Sequence, residues 1–139
     1  MTIRHVLCLA VLGASALGAA QAAPPLPYKT VAEALAALSA KDGAIKTEAE
    51  GWVTVTEPVE GVQWSFVPPT HGAYPSMVRR SIARPPGEPA RVEMATICEA
   101  SASACTALAQ EFEAQNSRFE QYVRSRGRKP PPGAAPGTP

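Results

Sequence analysis

A short apolar segment near the N-terminus limits how much of this chain belongs to a folded domain. The run VLCLAVLGASALGAA (residues 6–20) follows a single arginine, Arg4, and leads to Ala20-Gln21-Ala22. This order is typical of a secretory signal peptide, and the run is shorter than the roughly 20 apolar residues of a membrane span. We predict a signal peptide over residues 1–22, no transmembrane segment after its cleavage, and a periplasmic or secreted protein. An uncleaved anchor is the alternative.

The C-terminal sequence sets the other limit of the domain. From Gly127 it reads GRKPPPGAAPGTP, with no large apolar side chain to anchor it. A composition rich in Pro, Gly and Ala is typical of disorder. We predict a linker over residues 23–29, a single domain over residues 30–126, and a disordered tail over residues 127–139. About a hundred residues suit one domain with a modest core.

Two cysteines remain once Cys8 is removed with the signal peptide. Cys98 and Cys105 have six residues between them, and an even number in an exported chain favours a disulfide. A metal site would need more Cys or His ligands than the one histidine, His71, of the predicted mature chain. A redox centre would favour C-x-x-C spacing. We predict a structural disulfide, no metal and no cofactor, with unpaired thiols as the alternative.

Hydrophobic patterning predicts an α+β fold. In TVAEALAALSAKDG, Thr30 and Glu33 have the spacing of a capping box, which indicates a short N-terminal helix that ends at Gly43. Alternation and β-branched residues predict strand structure in four segments, with Gly51 as a bulge or a turn inside the first. These segments are residues 45–56, 62–67, 77–84 and 91–97.

A long helix is predicted at the C-terminal end of the domain, with Ser101 or Ser103 as its N-cap and Gly127 as its stop. Its apolar residues recur at helical spacings, namely Cys105, Leu108, Phe112, Phe119 and Val123. The predicted fold is therefore a short N-terminal helix, a three- to four-stranded antiparallel sheet, and a long C-terminal helix packed on one face. Both helices are expected on the same face.

The charge balance argues against nucleic acid as a partner. All twelve acidic residues and twelve of the thirteen basic residues follow residue 22, which leaves no net charge in the predicted mature chain. A neutral protein lacks the surplus of positive charge that phosphate backbones require. Four basic residues cluster near the tail and allow a weak contact with an anionic surface, although they also complement a helix C-terminus. They are Arg124, Arg126, Arg128 and Lys129.

No catalytic constellation is recognisable, and we do not expect an enzyme. His71 lies in VPPTHGAYP, and neither Ser65 nor Ser76 has the G-x-S-x-G context of a serine nucleophile. Prolines restrict the backbone of this segment, so any surface that it presents is preorganised. We therefore take His71 and Tyr74 as hypothetical binding residues, while the simpler interpretation is a solvated histidine and a tyrosine that covers the core edge.

Three classes of function stay open. The first is an envelope protein that acts by contact with another, unknown envelope protein, as an accessory subunit, inhibitor or immunity-type binder. The second is a carrier or sensor of a small apolar ligand held between helix and sheet. The third is an enzyme. Small size, a rigid loop and the missing catalytic set favour the first class.

Overall fold

The structure, a computed structural model, describes residues 25–127, and the predicted signal peptide and tail positions 128–139 lie outside these residues. Two helices flank five strands, which form one antiparallel sheet in the order β1-β2-β3-β4-β5. The elements are α1 (Val31–Ser39), β1 (Ile45–Ala49), β2 (Trp52–Glu57), β3 (Val62–Phe66), β4 (Ser76–Ala83), β5 (Arg91–Cys98) and α2 (Ala102–Gly127). The α+β class is confirmed, but the sheet has five strands where three to four were expected, and α1 ends at Ser39 rather than at Gly43.

The additional strand comes from residues 45–56, which form a hairpin of β1 and β2. Its two loop residues, Glu50 and Gly51, both have positive φ angles, of 52° and 80°. This is the backbone geometry of a tight hairpin turn whose twist matches that of the flanking strands. Gly51 therefore marks a turn rather than a bulge, and the segment provides two complete strands.

The sheet has two apolar faces, and strand β4 shows why. Met77 and Val78 are adjacent, point to opposite sides of the sheet, and are both fully buried. We call the side with Val55, Trp64 and Met77 face A, and the side with Trp52 and Val78 face B. Each face needs a cover to remove its apolar side chains from water.

The two helices supply these covers on opposite faces, so the expectation that they share one face is wrong. On face A, α1 buries Val31, Ala34 and Leu38 against the core of β2 and β3. On face B, α2 buries Leu108 and Phe112. The pattern of β4 requires this arrangement, because one helix layer cannot cover both faces of a sheet.

Helix α1 is fixed at its N-terminus from two directions. The Thr30 hydroxyl accepts a hydrogen bond from the Glu33 N–H at 3.1 Å, which confirms the predicted cap. The Val31 N–H donates to a carboxylate oxygen of Glu99 at 2.7 Å, just beyond the end of β5. Tyr28 packs edge-on against a core tryptophan, with 5.7 Å between ring centroids. The start of the described chain is thereby joined to its central sheet.

The core under α1 contains one buried charge, the carboxylate of Glu57 at the end of β2. Glu57 accepts hydrogen bonds from the Trp64 indole N–H and from Lys41, in the loop that follows α1. Lys41 also lies 3.6 Å from a carboxylate oxygen of the exposed Glu60. Because both oxygens of Glu57 have donors, its burial is compatible with a stable core.

The two cysteines connect the last strand to the last helix. Cys98 is the final residue of β5 and Cys105 lies in the first turn of α2, with Cα atoms 5.8 Å apart and sulfur atoms at disulfide distance. The Ser101 hydroxyl accepts from the Ala104 N–H at 3.3 Å, which identifies Ser101 as the N-cap. Within residues 25–127, neither helix is long and apolar enough to cross a membrane.

Candidate functional site

Helix α2 covers only part of face B. It packs on β4 and β5, where Leu108 and Phe112 meet Val78 and, further along, a carboxylate oxygen of Glu120 accepts from the Val92 N–H at 2.7 Å. Apart from Trp52, which packs against Phe112, the neighbouring strands β2 and β3 carry polar side chains on the same face, so they offer the helix little further apolar surface. These side chains are Thr54, Thr56, Gln63 and Ser65. A groove, here called the α2 groove, lies between the helix and these strands.

The α2 groove contains two cavities. The larger, of about 370 Å³, has apolar walls from Ile82, Val92 and Phe119 and a few polar groups. These groups are Thr56, Gln63, Arg80, Ser81 and Asn116. The second, of about 260 Å³, is more polar and is lined by Trp52, Thr54, Ser65, Arg80, Glu111, Phe112 and Gln115. Arg80 alone among the described residues lines both cavities, so it stands at the centre of the groove.

The surroundings of Arg80 engage little of its hydrogen-bonding capacity. Its Nη2 donates to the side-chain oxygen of Gln63, and its guanidinium carbon lies 5.0 Å from the centroid of the Phe112 ring. Its Nε is buried and has no hydrogen-bond partner among the described residues. Burial lowers the pKa of the Arg80 guanidinium, yet arginine keeps its charge throughout the physiological range. No carboxylate of residues 25–127 forms an ion pair with it.

The two binding residues taken from the sequence have different surroundings. The His71 ring packs edge-on against Trp52, with 5.6 Å between centroids, and its Nδ1 accepts from the Ala73 N–H at 3.1 Å. Its Nε2 lies 3.6 Å from a carboxylate oxygen of Glu111. The side chain of Tyr74, in contrast, is 49% exposed. His71 therefore links its loop to two residues of the second cavity, whereas Tyr74 faces solvent.

Sequence reasoning missed Arg80, although one signal for it was present. The segment MVRRSIAR contains two adjacent arginines and does not show which of them lies under a helix. Strand alternation places Arg80 on the same side as Val78, which is fully buried beneath α2. Knowing that α2 covers this face would have identified Arg80 as the arginine that lies beside the helix.

Two of the basic residues near the tail have partners on their own helix. Arg124 lies 3.7 Å from a carboxylate oxygen of Glu120, and the Arg126 guanidinium lies 4.8 Å from the ring centroid of Tyr122. Arg128 and Lys129 lie outside the described residues. In the described part of the chain, no three His, Cys, Asp or Glu side chains come together as metal ligands.

Comparisons with protein-family models, curated proteins and solved structures gave no significant match to this chain. The geometry of the α2 groove is therefore the basis for the functional inference.

Proposed function

We propose that this chain is a noncatalytic envelope protein that binds a small amphipathic ligand in the α2 groove. The observation that carries the proposal is the cavity of about 370 Å³ between α2 and face B, with apolar walls and few polar groups. Small-molecule sites have volumes of roughly 300–1,000 Å³ and this kind of lining. The signal-like N-terminus and the paired cysteines support an envelope location.

The larger cavity has hydroxyl groups but, among the described residues, no base beside them that would activate them. Thr56 and Ser81 line the larger cavity, whose lining, within residues 25–127, includes no His, Asp, Glu or Lys to serve as a base. A hydroxyl nucleophile needs such a base within hydrogen-bond reach. The His71 ring packs against Trp52 and lies 3.6 Å from Glu111, and both of these residues line the second cavity rather than the larger one. These positions favour binding over chemistry in the larger cavity, while the hydroxyls of Thr54 and Ser65 lie with Glu111 in the lining of the second.

Contact with another envelope protein is the second candidate function. Tyr74 is 49% exposed and lies in a loop restricted by prolines, which makes it a rigid aromatic anchor of the kind common at interfaces. Exposed apolar side chains on α2, among them Tyr122 and Val123, add further contact surface. These residues are separate from the polar centre of the groove, so the two functions can be tested independently.

Filling the larger cavity tests the proposed function. Thr56 is half-buried and lines this cavity, so Thr56→Phe places a ring where a ligand would lie. We expect the variant to bind the apolar anionic dye anilinonaphthalene sulfonate about tenfold or more weakly, a loss of at least about 1.4 kcal/mol. The measurement is a fluorescence titration of purified protein.

The matched control is Thr47→Phe, which adds the same ring on the exposed strand β1, outside both cavities. This variant should bind the dye like the unmodified protein. Equal dye affinity for Thr56→Phe and the unmodified protein, at unchanged melting temperature, would exclude the groove as the binding site.

A further inference from the structure

We infer that Arg80 binds a carboxylate group of the ligand, which makes the ligand a carboxylate joined to an apolar body. This inference rests on the proposed function of the α2 groove and adds the chemical class of what the groove holds. It is carried by the position of Arg80 between the two cavities and by the unused donors of its guanidinium group.

The guanidinium group has five N–H donors, and one hydrogen bond engages it, to Gln63. The buried Nε has no partner among the described residues, and no carboxylate there neutralises the charge. Arg80 is half-buried, and a cation that is partly removed from water without a counter-charge is in an unfavourable environment. An anionic ligand group would supply both the acceptor atoms and the opposite charge.

Charge also decides which cavity takes the anion. Glu111 lines the second cavity and would repel a negative group there. The larger cavity has no acidic residue in its lining over the described ranges of the chain. The anion is therefore expected on the side of Arg80 that faces the larger cavity, with the apolar body of the ligand against Ile82, Val92 and Phe119.

The number of positive charges selects a carboxylate rather than a phosphate. Of the residues that the structure describes, Arg80 is the only basic one in the lining of the two groove cavities, and its neighbour Arg79 points to face A. Arg84 and Arg91 line a smaller cavity of about 100 Å³ at the far side of Ile82, Val92 and Phe119, where Glu120 adds an opposing charge. A phosphate group carries a charge of about −1.5 to −2 near neutral pH and would be only partly neutralised by one arginine. A carboxylate carries one charge, and its two oxygens match the fork of the guanidinium group.

Calorimetric titration with octanoate and octanol tests this assignment, because the two probes share an apolar chain and differ in charge. We expect the unmodified protein to bind octanoate about 10- to 100-fold more tightly, the range typical of a hydrogen bond to a charged group. Arg80→Met should remove this preference, and Arg80→Lys should retain part of it, because lysine keeps the charge but loses the fork.

Arg79→Met is the matched control. It removes the adjacent guanidinium group, which donates to the Ser81 hydroxyl at 3.3 Å and lies 5.7 Å from the Trp64 ring centroid on face A. This variant should keep the full preference for octanoate. A loss equal to that of Arg80→Met would show that general surface charge is responsible, and would overturn the assignment.

The unmodified protein distinguishes failure of the assignment from failure of the groove function. Equal affinity for octanoate and octanol would overturn the role of Arg80 and leave the groove as an apolar site. Binding of neither probe would overturn both. A short apolar peptide with a free C-terminus, compared with its C-terminal amide, separates a peptide carboxylate from an acyl carboxylate as the source of the same group.

Discussion

Trp64 and Tyr74 are aromatic residues of the same chain with opposite surroundings. Trp64 is 4% exposed and its indole N–H donates to the buried carboxylate of Glu57. Its neighbours on face A include Tyr28 and the guanidinium group of Arg79. Tyr74 is 49% exposed. Truncation of Trp64 therefore tests a contribution to stability, whereas truncation of Tyr74 tests a contribution to binding.

We expect Trp64→Ala to lower the free energy of unfolding by roughly 3–5 kcal/mol, because a large buried side chain is lost. The cost should lie at the upper end, since Glu57 also loses a donor. Tyr74→Ala should change the stability by about 0.5 kcal/mol or less. Urea denaturation measures both values, and a large loss for Tyr74→Ala would show that this residue packs in the core and exclude it as a surface anchor.

At the scale of whole elements, the patterns that depend on neighbouring residues were predictable. The cap at Thr30, the alternation that buries Trp64, and the position of the long helix were all read from local spacing and agree with the structure. The sequence does not decide between a hairpin turn and a bulge at Gly51, because glycine suits both positions equally.

The features that depend on distant residues were not predictable in the same way. Phe119 fits the apolar stripe of α2 but is 45% exposed, while Asn116 on the same helix is buried and donates to the Met94 sulfur at 3.7 Å. Spacing alone does not show where a helix leaves the sheet. The groove lined by Phe119 and Asn116, and the role of Arg80 in it, follow from that geometry.

The stability of the junction between β5 and α2 is expected to depend on its two cysteines. A disulfide between Cys98 and Cys105 closes a loop of about eight residues, which contributes about 2.5 kcal/mol through the entropy of the unfolded chain. For a domain of this size, reduction should lower the melting temperature by about 10–20 °C. The melting temperature with and without reductant measures the effect.

A double variant, Cys98→Ser with Cys105→Ser, is the control and should be insensitive to reductant. Alkylation of the unreduced native protein should add no label. Two equivalents of label under these conditions would contradict the disulfide and leave the junction held by the Ser101 cap and helix packing.

Over the whole molecule, the two helices differ in how completely they cover the sheet. Helix α1 has nine residues and closes face A over β2 and β3, where the apolar cluster is densest. Helix α2 has 26 residues and follows β4 and β5, because these strands carry most of the apolar side chains of face B and because Glu120 accepts a hydrogen bond from the Val92 N–H. The α2 groove is a consequence of this offset.

Export is a prediction for the whole chain, and a persistent disulfide between Cys98 and Cys105 would depend on it, because disulfides persist in oxidising compartments. We expect cleavage after Ala22, so that the mature protein begins at Ala23. Intact-mass measurement of the exported protein tests this directly. As a control, Ala22→Leu removes a small residue of the cleavage site and should leave the segment uncleaved. An exported protein of full-length mass would identify residues 1–22 as an anchor, while a cytosolic protein with two free thiols would contradict the envelope location itself.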